Sequence, residues 1–113
     1  MTQPLRALEM ANQIRMQRAV SKQGVRRGDV DPAQVILDPP SYWASAKIEE
    51  LLKGVPYMGS YRVRTVCAQA MVDPARRLDA LSERQRRRLA DALHLHQETR
   101  AFERVSKARR KAA

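Results

Sequence analysis

Leu51-Leu52-Lys53-Gly54-Val55-Pro56-Tyr57-Met58-Gly59-Ser60-Tyr61-Arg62-Val63 is the stretch from which the fold can be read. Ile48, Leu51, Leu52 and Val55 give it an apolar, helix-patterned approach, residues 56–59 turn the chain, and a helix opening at Ser60 leaves with Arg62 and Arg64. The first N–H groups of that helix have no intrahelical acceptor, and together with the positive end of the helix dipole they suit an anion. Gly59, the Ser60 hydroxyl, Arg62 and Arg64 are therefore candidate phosphate contacts. An ordinary corner between two helices would use the same Pro and Gly; the arginines on the leaving helix favour a phosphate site.

Working outward, the spacing of Leu5, Leu8, Ala11, Ile14 and Arg18 predicts a long basic helix over 5–27, with a thin apolar stripe and Gly28 as its left-handed terminator. Asp31-Pro32 reads as an N-cap followed by proline at the first helical position, and Asp38-Pro39-Pro40 stops that short helix. A third helix is expected over 41–53, capped by Ser41, with Trp43, Ala44, Lys47, Ile48, Leu51 and Leu52 inside and Glu49-Glu50 outside. Trp43 reads as a core anchor. The next helix is expected over 60–71, with Tyr61, Val63, Val66, Cys67, Ala70 and Met71 on its apolar face. After a loop over 75–81, Ser82 and Gln85 form a capping box for a helix whose buried stripe is Leu89, Ala92 and Leu93. The pattern weakens through Phe102 and Val105, and 106–113 reads as a frayed basic tail. Nothing alternates as a strand does. The fold class expected is all-α, about five helices: a basic N-terminal helix (1–28), a core (29–95) and a basic C-terminal extension (96–113).

Composition narrows the function. The 113 residues carry 22 Lys+Arg against 12 Asp+Glu, a formal net charge of +10. That charge is segregated: residues 1–28 hold 6 basic and 1 acidic, 29–56 hold 2 and 5, 57–79 hold 4 and 2, and 80–113 hold 10 and 4. Segregation points to a contact face for an anionic partner, nucleic acid before membrane. The single cysteine excludes an intrachain disulfide and a thiolate metal cluster. No apolar run is long enough to span a bilayer, and Arg6, Glu9, Arg15 and Arg18 interrupt what would otherwise be a secretory segment, so a cytoplasmic location is expected. Five aromatic residues are too few for a platform that stacks single-stranded bases.

Arg76-Arg77 and the arginine-rich helix after Ser82 form a second candidate set. Arg84, Arg87 and Arg88 share a face at three-four spacing, whereas Arg86 points elsewhere and reads as a solvated charge. His94 and His96 are two apart on a helix and cannot chelate one metal together. Cys67 reads as a small buried hydrophobe. No Gly-rich nucleotide loop and no hydrolytic triad spacing appears, so no enzyme activity, cofactor, metal or small-molecule substrate is expected.

The quoted stretch, with Arg76-Arg77-Leu78 and Leu81 through Gln85 to Leu89, resembles the actinobacterial integration host factor family. Those nucleoid-associated proteins are built on a helix-two-turns-helix core that also occurs in a small-subunit ribosomal protein. The resemblance spans roughly residues 5 to 93. Two departures stand out: Tyr57 occupies the place of the first glycine of the family's turn, and Asp79-Ala80 replace a basic residue and a glycine. The resemblance implies double-stranded DNA binding with little sequence preference, bending or compaction, and a nucleoid-associated location. It also implies backbone contacts by the hairpin and Arg76-Arg77 and a second contact by the N-terminal helix, on which Arg15, Arg18 and Lys22 are the candidate residues; Arg84 and Arg88 join the candidate set from their shared helix face. A monomer is the favoured state. A structured-RNA or ribosome-associated binder, and a protein-interaction regulator from a phage or mobile element, stay open as alternatives.

Overall fold

A computed structural model describes residues 3–112 of the chain, with the side chains of Gln3, Phe102, Lys111 and Ala112 outside the description. Six α-helices and one 3-10 turn make up the described fold: α1 Gln3–Arg27, α2 Pro32–Leu37, α3 Ser41–Ala44, α4 Ile48–Leu52, α5 Ser60–Gln69, the 3-10 turn Leu78–Ala80, and α6 Glu83–Ala112. No strand occurs among the described residues, in line with the all-α expectation.

Local signals place several boundaries. The Asp31 carboxylate accepts from Ala33 N–H at 3.0 Å, with Pro32 opening α2. Ser82 Oγ accepts from Gln85 N–H at 3.2 Å while Gln85 Oε1 accepts from Ser82 N–H at 2.9 Å, which is the reciprocal box that starts α6. At the end of α1, Asp29 N–H returns to Gly24 C=O (2.8 Å) and Gly28 N–H to Val25 C=O (3.2 Å), with Gly28 at φ +88°. The end of α5 repeats this closure without glycine. Val72 N–H bonds Cys67 C=O (3.0 Å), Met71 N–H bonds Ala68 C=O (3.1 Å), and Met71 takes φ +58°.

Trp43, Ile36, Ile48, Leu51, Leu52, Leu78, Leu89, Leu93, Val63 and Cys67 are fully buried and form the centre of the core. Trp43 is the anchor the sequence suggests, and its indole N–H donates to Ser21 Oγ at 2.8 Å, which fastens α1 to α3. A buried bond of this kind is worth about 1 kcal/mol net. Arg86 is not a solvated charge: its Nη1 donates to Ile36 C=O at 3.1 Å and ties α6 to α2.

Three expected boundaries differ. The helix over 41–53 is broken at 45–47, where Ile48 N–H bonds Arg76 C=O (2.9 Å), Leu78 N–H bonds Ala46 C=O (2.9 Å), and Lys47 forms an antiparallel bridge with Arg77. Backbone groups that would have continued the helix are satisfied across the fold instead. Lys47 is consequently exposed and Ala44 only half-buried, while Glu49 and Glu50 are half-buried. The helix expected over 60–71 ends at Gln69, and Tyr61 and Met71 are 75% and 66% exposed, so neither belongs to the buried face. The expected frayed tail is helical: α6 runs unbroken to Ala112, and only Ala113 of that segment lies outside the described residues. The expected contribution of Phe102 rests on a side chain outside the description.

Candidate nucleic-acid interface

Two short segments flank α4 and set the geometry. At its N-terminal end, the pairing of 46–48 with 76–78 fixes Arg76 and Arg77. At its C-terminal end, residues 53–59 form the hairpin turn into α5. Five residues at 1.5 Å each make α4 about 7 Å long, so the turn and the arginine pair stand on the order of 10 Å apart.

Gly59 is the N-cap of α5, and no side chain caps the helix. The N–H groups of Ser60, Tyr61 and Arg62 precede the first intrahelical bond, Val63 N–H to Gly59 C=O at 3.0 Å. The first turn carries no acidic residue. A carboxylate there would stabilise the helix dipole, whereas Arg62 and Arg64 oppose it. Space outside Gly59 is open: a Cβ placed on it would meet nothing within 4 Å. Gly59 and Ser60 are exposed, Arg64 is exposed and Arg62 half-buried. Neither arginine has an ion-pair partner among the described residues.

Tyr57 explains one departure from the family pattern. It takes φ +62°, a left-handed conformation that glycine adopts without strain and that costs an L-residue about 1 to 2 kcal/mol. Its ring lies under the Arg100 guanidinium (4.8 Å to the centroid) and within reach of Arg104 (5.6 Å), contacts that offset part of the strain.

The second set is partly pre-engaged. Arg76 donates to Ala80 C=O at 3.1 Å, and Arg77 pairs with Asp79 at 2.6 Å, so the acidic replacement at 79 neutralises a neighbouring arginine. Arg84 and Arg88 are exposed and lack ion-pair partners among the described residues, whereas Arg87 pairs with Glu83 at 2.8 Å. On α1, Arg15 is exposed without such a partner. Arg18 donates to Tyr42 C=O and Ser45 Oγ (2.7 Å) and approaches Glu50 (3.9 Å), and Lys22 pairs with Glu50 at 3.1 Å. Glu50 thus gathers the α1 cations onto α4. The cleft beside it, about 300 Å³, is lined by Lys22, Gln23, Arg26, Glu50, Lys53 and Gly54, and an adjoining one adds Arg18 and Lys47. Arg26, Lys47 and Lys53 were absent from the sequence-based set. Lys53 lies inside the deciding stretch itself, one residue before Gly54.

Two buried titratable groups lie nearby. Burial, then the charges of Asp73 and Glu49, push the Cys67 thiol up to about 11. His96 is held below its ordinary value by burial, then by Arg62 and Arg100, with Glu103 acting the other way. His94 approaches Asp31 at 3.9 Å.

No family model matches the chain. The integration host factor of Mycobacterium tuberculosis (strain ATCC 25618 / H37Rv) is 32% identical to it over 87 residues, which is 75% of this chain and 83% of that protein. The chain belongs to the integration host factor family. The integration host factor of Mycolicibacterium smegmatis (strain ATCC 700084 / mc(2)155) matches over the same length at 31% identity. A solved structure of sIHF bound to an 8-bp palindromic DNA superposes with a TM-score of 0.62 at 22% identity, covering 80% of this chain and 97% of that one. Its likeness shows the fold, and about a fifth of this family member lies outside it. The resemblance read from the 51–63 stretch, Arg76-Arg77 and the Gln85 helix is thus membership in the integration host factor family.

Proposed function

We propose that the chain is an architectural, nucleoid-associated protein that binds the phosphate backbone of double-stranded DNA with little sequence preference. The observation that carries this reading is the start of α5, where unpaired N–H groups, an uncapped Gly59 and two arginines without acidic neighbours make a helix end that is destabilised until an anion arrives. Membership in the integration host factor family supports it, as does the DNA held by the solved relative. Arg76, Arg77, Arg84 and Arg88 extend the contact, and Arg15, Arg18 and Lys22 supply a second one along α1. A duplex that satisfies both contacts bends, at an elastic cost of order 1 to 6 kcal/mol. Among the described residues no Asn, Gln or Arg set lies on an exposed helix in a major-groove reading arrangement, so backbone geometry and charge dominate over base recognition. The reading is of a binding protein rather than an enzyme.

Anisotropy titrations of several unrelated duplexes test it. Comparable affinities are expected, falling by about 10³ to 10⁵ between roughly 50 and 200 mM salt if six to ten phosphates are engaged. Absence of binding at the low-salt end, affinity flat in salt, or displacement of duplex DNA by structured RNA at equal concentration would overturn it.

A further inference from the structure

We infer that the distal half of α6 is an additional DNA-backbone contact, a cationic rail that begins at the hairpin turn. This rests on the DNA-binding reading above and goes beyond it, because the residues concerned lie outside the expected core.

The buried seam of α6 runs through Leu89, Leu93 and His96 at four-three spacing. Continued along the helix, the same seam reaches Arg100, Arg104 and Lys107 at spacings of four, four and three. At 100° per residue these three lie within about 60° of one another, on the side that faced the core one turn earlier. From Gln97 to Arg110 no described side chain is buried, so apolar packing does not account for the direction this segment takes. What ties it to the rest of the fold is Arg100 and Arg104 over the Tyr57 ring; the Arg100–Glu103 pair at 3.0 Å is internal to α6. Tyr57 is two residues from Gly59, so the rail leaves the fold beside the anion-ready end of α5.

Charge complementarity selects the occupant. Residues 100–111 hold six basic residues and one acidic, and Lys107, Arg109 and Arg110 have no ion-pair partner among the described residues. Lys107 stands about 10 Å along the axis from Arg100, so a duplex backbone seated at the α5 N-terminus meets the rail as it continues. Arg110 follows Lys107 by three residues and stays near the rail, whereas Arg109 lies on the opposite side and is a solvated charge. An all-round basic coat would make these two equivalent; a rail separates them.

The test compares the full chain with the triple variant Arg104→Gln, Lys107→Gln, Arg110→Gln and with Arg109→Gln. Each is titrated with a duplex of about 20 bp over a salt series, after circular dichroism has established equal folding. Each lost phosphate contact removes about 0.9 from the slope of log affinity against log salt, so the triple variant is expected to lose roughly 2 to 3 and to bind at least about tenfold more weakly near 100 mM salt. Arg109→Gln is expected to keep the slope of the unaltered chain. A triple variant with an unchanged slope, or one whose loss per charge only equals that of Arg109→Gln, overturns the rail while leaving the hairpin reading in place. Failure of the unaltered chain to bind duplex DNA overturns both.

Discussion

Replacing Glu50 by Gln should move stability and DNA affinity in opposite directions. Glu50 sits in the middle of α4, pairs with Lys22 at 3.1 Å and approaches Arg18 at 3.9 Å, and it is the carboxylate shared by the two α1 cations. Their side chains are 19% and 38% exposed and that of Glu50 is 36% exposed, so each pair sits in the range worth about 0.2 to 1 kcal/mol. Losing both therefore destabilises the fold by about 1 kcal/mol at low salt, and less as salt screens the pairs. The same change releases Lys22 for phosphate and removes the carboxylate beside it, while Arg18 keeps its bonds to Tyr42 C=O and Ser45 Oγ. With Lys22 on the backbone, the salt slope steepens by about 1 and affinity near 100 mM salt rises several-fold. Urea unfolding of the Glu50→Gln chain and a salt series of duplex titrations read the two effects separately. Affinity that stays constant or falls while stability drops would show that Lys22 only fastens α1 to α4, and would remove it from the interface.

Further expectations follow from single residues. Met71→Gly relieves a left-handed methionine with a well-exposed side chain, and a net gain of about 0.5 to 1 kcal/mol is expected in urea unfolding once the looser unfolded chain is counted; a loss would refute the strain. Arg86→Met removes the donor to Ile36 C=O and is expected to destabilise by about 1.5 to 3 kcal/mol, a larger effect than Arg84→Met at its exposed neighbour. His96 is depressed in the fold, so the unfolded chain takes the proton first. Stability is then fully present above the ordinary histidine value near 6.5 and declines as pH falls through it toward the folded value; His96→Gln should flatten denaturant midpoints between about pH 7 and 5. Cys67, raised to about 11 and buried, should ignore a thiol reagent near pH 8 in the native chain and react after unfolding; rapid native labelling would contradict its burial.

Much of the architecture was legible because its signals are local. Asp31-Pro32, Gly28, the Ser82 and Gln85 box and the Val63, Val66, Cys67 stripe each act within a turn of helix, and each is found where the sequence puts it. The break at 45–47 was not legible, since it depends on backbone pairing with 76–78, some thirty residues away, and leaves no periodicity to read. The length of α6 was hidden for a different reason: beyond Gln97 no buried stripe remains, and a run rich in Ala, Glu, Arg and Lys, without Gly or Pro, carries it on. Within the interface, the residue types were readable but their engagements were not. Sequence spacing could not show that Asp79 holds Arg77, that Glu50 holds Lys22, or that Arg86 is spent on Ile36, because each depends on which partner the fold brings near.

The hydrogen bond from Trp43 to Ser21 gives the molecule its own optical reporter. Trp43 is the only tryptophan in the chain, fully enclosed, and its one polar atom is tied to α1. Indole emission shifts when that N–H loses a protein partner to water, so undocking of the N-terminal helix is visible without a label, whether urea or a bending duplex causes it. Ser21→Ala supplies the reference spectrum for the released state. Movement of α1 during binding can therefore be followed in real time on the unmodified protein.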